Sequence, residues 1–225
     1  MSKRTPRTLA AVVLTLTALA PVTMLASPAS AFPKGDPIYT FKYTVVATTH
    51  IAKANLTMSP PPGIFKGGID LSTGQLQGSI ALPDTTFTQS EEGVGLVTAT
   101  AAIVQTKPVT GHVNIGTFKV TATSTFNIHI ITMYLATPTL PVTLPSLPVS
   151  LPPLTIPPVN LVGNSCSTAT PVSVTMSGTA HLGSASTFKG TFTIPDFANC
   201  EALTSVLNEE IPGGGNTFSA TAKPS

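Results

Sequence analysis

Residues 118–130 read FKVTATSTFNIHI, and this stretch decides the fold. In an extended chain Phe118, Val120, Ala122, Phe126, Ile128 and Ile130 fall on one face. Lys119, Thr121, Thr123, Thr125, Asn127 and His129 fall on the other. A period of two among β-branched and aromatic residues marks a strand with one dry and one wet side. The same alternation sets Tyr39, Phe41, Tyr43 and Val45 against Thr40, Lys42 and Thr44. Residues 65–82 read as a hairpin around Ser72-Thr73-Gly74-Gln75, with Gly74 free to take positive φ. Setting Leu71 opposite Leu76 places Ile69 against Gly78 and Gly67 against Ile80, with Lys66 and Asp70 on the wet face. Large against small on the dry face suits a strongly curved or closed sheet.

Thr, Val and Ile are abundant along the chain, and Gly and Pro punctuate it at short intervals, so the expected class is all-β: an antiparallel β-sandwich or barrel with one short C-terminal helix. For that helix Asp196 or Asn199 is the expected cap. Cys200, Leu203, Val206 and Leu207 form its apolar stripe, and Pro212-Gly213-Gly214-Gly215 ends it. Thr217–Ala222 reads as a closing strand.

The N-terminus carries an export address. Lys3, Arg4 and Arg7 precede an apolar run from Leu9 to Ala26, and Ala29-Ser30-Ala31 supplies the small residues of a cleavage site. The expected organisation is a signal peptide over 1–31 and a single β domain over 32–225, with secretion to the medium or the cell envelope. No Cys follows the apolar run to take a lipid, and residues 218–225 hold no apolar tail, so no transmembrane segment is expected after cleavage.

Removing Lys3, Arg4 and Arg7 leaves eight lysines, no arginine and nine acids. Phosphate neutralisation needs clustered Lys and Arg, and these lysines are scattered singly, which argues against nucleic acid as a partner. Cys166 and Cys200 are the only cysteines, and an even count in an exported chain reads as one disulfide.

Residues 137–159 differ from everything else. Eight prolines alternate with Leu, Val and Ile, and no charge occurs. That density forbids helix and central strands, so the segment reads as extended. Leu144, Leu147, Val149, Leu151, Leu154 and Ile156 are its candidate contact residues. They either cover an open end of the β domain or face a partner such as a lipid or cell-envelope component.

Candidates for chemistry are few. His50, His112, His129 and His181 have no ligand spacing, and a turn near Gly116 would set His112 against Val120, so no metal is expected. Asp84 and Asp196 each follow a proline at a strand end and read as turn residues. No catalytic motif or phosphate loop stands in the chain, and neither an enzyme nor a cofactor is expected.

Three runs carry a resemblance: Leu161–Cys166, Thr170–Gly178 and Gly215–Thr221. With Phe188–Cys200 and the Gly63–Leu82 hairpin they resemble small, functionally uncharacterised secreted β-proteins of actinobacteria. That resemblance implies secretion and β structure and transfers no functional residue. The hairpin is also similar to secreted lipocalin-like barrels of the YceI type, which implies a polyisoprenoid-binding interior. The leading expectation is non-enzymatic binding of an apolar molecule or an envelope surface; the alternative is a structural or adhesive envelope protein without a small ligand. An apolar interior cavity of roughly 300 Å³ or more favours the first and a solid core the second.

Overall fold

The computed structural model describes residues 38–91, 95–135, 159–181 and 183–225. The expected export segment 1–31 and the six apolar residues of the Pro-rich strip lie outside the described residues. Twelve strands and one helix follow in order. They are β1 (Ile38–Ile51), β2 (Leu56–Met58), β3 (Gly63–Asp70), β4 (Gln75–Ala81), β5 (Thr85–Glu91), β6 (Gly95–Val113), β7 (Lys119–Leu135), β8 (Ser167–Thr168), β9 (Val172–Thr179), β10 (Ser186–Ile194), β11 (Phe197–Ala198), α1 (Thr204–Glu210) and β12 (Gly213–Pro224).

Eight of the strands close a ring. β1, β3, β4, β6, β7, β9, β10 and β12 pair each with the next, all antiparallel, and β12 returns to β1 with Tyr43 opposite Pro224 and His50 opposite Thr217. The fold is an antiparallel barrel, so the sandwich alternative falls away. Closure gives each ring strand a neighbour on both sides, and it explains how alternating strands bury one face without a second sheet. β2, β5, β8 and β11 lie outside the ring.

The alternation places the dry faces inside. On β7, Val120, Ala122, Phe126 and Ile130 are buried, and on β1 Val45 and Ile51 are. Phe118 departs from the expected face: it ends the 114–118 turn with φ +54° and is 37% exposed. The turn also sets His112 opposite Thr121 and Val113 opposite Val120, one residue from the expected pairing.

The first hairpin slips two residues from its expected register. Ile69 faces Leu76, Gly67 faces Gly78 and Phe65 faces Ile80. The cause is Asp70. Its carboxylate accepts the Ser72 N–H and hydroxyl at 2.7 and 2.6 Å and the Thr73 N–H and hydroxyl at 3.2 and 2.7 Å, so the loop starts earlier. Asp70 is therefore buried instead of wet, and Leu71 is 47% exposed. The two facing glycines leave room for the Phe65 ring, whose Cε2 lies 2.6 Å from where a Cβ on Gly78 would stand.

One end of the barrel is capped by a small separate core. Cys166 and Cys200 form the expected disulfide, with Cα atoms 4.2 Å apart. They pack with Ile51, Ile130, Val162, Ile194, Phe197 and Leu207. A 3-10 turn, Glu201–Leu203, leads into α1, and no side chain caps either start. The expected caps, Asp196 and Asn199, are thus not used; Thr204 Oγ1 instead accepts the Cys200 N–H at 3.1 Å. Val206 is 52% exposed, so the apolar stripe of the helix narrows to Leu207 with Leu203 beside it.

Candidate functional site

The inside of the barrel is the candidate site. A cavity of about 230 Å³ runs within it, and every ring strand contributes to its wall. Val45, Phe65, Leu76, Val109, Phe126, Met176, Phe188 and Phe218 represent the eight strands in ring order. Space arises because Ala47, Ala101, Ala122, Ala220 and Ala222 also point inward and leave it unfilled by side chains. An eight-stranded barrel is at the size where the interior is either filled by side chains or holds one small ligand. Here the alanines on β1, β6, β7 and β12 leave the interior only partly filled by the described side chains.

Among the described residues the wall carries no charged side chain, and Thr49 and Thr85 provide its hydroxyls. Thr85 Oγ1 is buried and unpartnered among the described residues. An anion or cation would enter this wall without any compensating charge, which is prohibitive in a dry interior.

One side of the barrel wall is held by side chains. β4 pairs with β6 only from Gly78–Val109 to Gln75–His112. Beyond that point β6 is bulged around Pro108, which has no N–H to lend to a ladder. Gln105 spans the gap: its Oε1 accepts the Ile80 N–H at 3.0 Å and its Nε2 donates to Ser124 Oγ at 3.0 Å. Ser124 Oγ in turn donates to the Lys107 carbonyl at 3.1 Å. Next to this seam the cavity wall continues through Leu82, Thr85, Ala101 and Ile103.

Other sequence candidates do not assemble into a site. Among the described residues no group of three or more His, Cys, Asp or Glu could hold a metal. His112 Nε2 donates to the Thr73 carbonyl at 3.1 Å, which ties β6 to the first hairpin, and His50 Nδ1 pairs with Thr57 Oγ1 at 3.2 Å. Among the described acids Asp70 is the one with a strong environment. The Ser72 hydroxyl, then the Thr73 hydroxyl and the backbone N–H groups of both, lower its carboxyl from 3.8 to about 2. That group serves the turn, at the barrel end opposite the disulfide cap.

Sequence reasoning missed Gln105, Ser124 and three asparagines. Asn208 brackets the Phe197 backbone, Asn160 takes the Met133 N–H at 3.0 Å, and buried Asn216 accepts the Ala52 N–H at 2.9 Å. The signal that could have found Gln105 and Ser124 is a polar residue breaking a dry face beside a proline. Among the described residues no helix is long and apolar enough to cross a membrane. Comparison with protein-family models, curated proteins and solved structures finds no match to this chain.

Proposed function

We propose that this chain is an exported, non-enzymatic protein that holds one small, uncharged, apolar molecule inside its barrel. The observation that carries this reading is the 230 Å³ cavity whose described wall residues carry no charge. Its volume falls short of the roughly 300 Å³ typical of drug-sized sites. It exceeds the roughly 150 Å³ of an apolar cavity that takes benzene. The space thus suits an apolar molecule of at least the size of benzene.

Energetics separates this reading from that of a structural envelope protein. Unfilled core volume costs about 24 cal/mol per Å³, so 230 Å³ amounts to about 5 kcal/mol if it were fully enclosed. A chain selected only for a rigid wall or an adhesive surface gains by growing its inward alanines. Export is supported by the basic start, the apolar run and the Ala29-Ser30-Ala31 site, and a buried disulfide fits an oxidising compartment.

The methionines offer a direct test. Met58 and Met176 line the cavity; Met133, which packs against the disulfide cap as Met58 also does, does not. In protein labelled with 13C at the methionine methyls, toluene is expected to shift Met58 and Met176 saturably and leave Met133 in place. No shift at either cavity methionine at millimolar toluene would overturn the reading and favour the structural one. N-terminal sequencing of exported material should begin at Phe32.

A further inference from the structure

We infer that the barrel end opposite the disulfide cap docks on an anionic lipid bilayer, with two hairpin tips entering the interface. This goes beyond the cavity and does not depend on it. Two features of that end, apolar tips and a basic shoulder, come from different parts of the chain.

The first is a rim of exposed apolar side chains. Ile38 and Tyr39 open β1, Leu71 tops the β3–β4 hairpin, and Ile115 and Phe118 belong to the β6–β7 turn. The two tips are neighbours: the Val113 N–H donates to the Gly74 carbonyl at 2.7 Å. Five such residues at one end of a soluble-sized barrel form a patch that calls for a partner. Phe118 is held there against its backbone preference. Its φ of +54° is a left-handed conformation that favours glycine, yet its N–H and carbonyl are fixed by Asn114 and Ala180 at 2.7 and 2.8 Å. An exposed aromatic in a strained turn is readily explained if the ring is wanted outside.

The second feature is charge. Lys42 stands directly opposite Lys66, Lys223 lies one strand away opposite Thr44, and Lys119 starts β7 beside the tip. Like charges facing across strands destabilise a sheet unless an outside anion meets them. The only acid at this end with a described side chain is Asp70, and it is spent on its own turn. Asp196, Glu201, Glu209 and Glu210 all sit in or next to the helical cap at the opposite end. Lys53 joins those acids, its Nζ donating to the Asn208 carbonyl at 3.3 Å, and Val206 is exposed there too, so it is the charge that differs between the two ends. Among the described residues only the tip end sets exposed apolar side chains beside a basic shoulder, the complement of an anionic headgroup layer over hydrocarbon.

The test is co-sedimentation of the purified exported protein with vesicles of phosphatidylcholine alone and with 30% phosphatidylglycerol. Binding is expected to the anionic vesicles only and to weaken strongly at 0.5 M salt. Replacing Phe118 with glycine, which fits the positive φ, should reduce binding at least about tenfold with no loss of thermal stability. Lys42→Gln and Lys66→Gln should each reduce it about fivefold. Equal binding to both vesicle types, binding to neither, or full binding by the Phe118→Gly variant would overturn the proposal. So would capture by soluble polyphosphate that matches the vesicles and ignores Phe118.

Discussion

Gln105 completes the wall beside Ile80 with a side chain where the backbone ladder stops. The 3.0 Å bond from the Ile80 N–H to Gln105 Oε1 stands at the seam between β4 and β6, and the Gln105 amide continues to Ser124. Replacing Gln105 with leucine would keep the volume and strand the Ile80 N–H at a part-buried site, while Ser124 Oγ keeps its bond to the Lys107 carbonyl. We expect a loss of about 1–3 kcal/mol in denaturant unfolding, mostly the desolvation of the abandoned N–H. Hydrogen exchange at the Ile80 amide should accelerate in parallel. A variant as stable as the parent would show that the seam is held by something else.

The cap depends on a covalent tie. Cys166 and Cys200 enclose a separation of 34 residues and are both fully buried. In the chain-entropy account, opening a loop of that size removes about 3–4 kcal/mol. Thiol labelling of the native, unreduced protein should find no free cysteine. A Cys166→Ala, Cys200→Ala variant should melt at lower temperature, with the cap exchanging its amides before the ring does.

Asp70 makes stability depend on acid. Its carboxyl is lowered in the folded protein from 3.8 to about 2, chiefly by the Ser72 hydroxyl. The folded state thus binds this proton more weakly than the unfolded chain. The stabilisation is fully present above the unfolded value and is lost as pH falls through about 2. The melting temperature should therefore drop between about pH 4 and pH 2. In an Asp70→Asn variant that segment of the profile should flatten, because no proton is taken up there. An unchanged profile would mean that other carboxylates carry the acid sensitivity.

Much of this architecture is legible in the alternation of residues, because each ring strand separates two environments. Val45, Val120, Ala122 and Phe126 face inward as their spacing implies. Register is a different matter. The two-residue slip of the first hairpin returns every side chain to the same face, so alternation is blind to it. It was decided by the Asp70 carboxylate reaching Ser72 and Thr73, a contact within the turn. The cavity was invisible for another reason. Which residues point inward can be read strand by strand, but whether they fill the space depends on summed volumes. Ala47 and Ala220 are paired across β1 and β12, and they share one interior with Phe65 and Phe188 from other strands. The Phe-Lys-Gly runs at 65–67 and 188–190 look like a duplication in sequence. In three dimensions they share one packing device, an inward phenylalanine followed by a glycine that admits an aromatic ring: Gly67 meets Phe41 and Phe65, and Gly190 meets Phe218. The strands before them differ, since β2 pairs with β1 while β9 pairs with β10.

Filling the cavity from within separates stability from function. Ala220 lies on β12, buried, facing the space, with Ala47 as its partner on β1. Ala220→Leu adds three carbons, roughly 80–90 Å³ on the scale of a water-sized group each. If the wall tolerates them, recovered packing should raise stability by about 2 kcal/mol. Toluene-induced shifts at Met58 and Met176 should disappear at the same time, because the volume left is too small. A binding protein predicts this opposition: a more stable variant that no longer takes its ligand. If stability falls instead by about 1–3 kcal/mol, as overpacking a filled core does, then the interior was never free to receive a guest. If stability rises and toluene still shifts both methionines, the guest sits in a part of the barrel that Ala220 does not reach. Ala47→Leu and Ala122→Leu would then locate it by the same measurement.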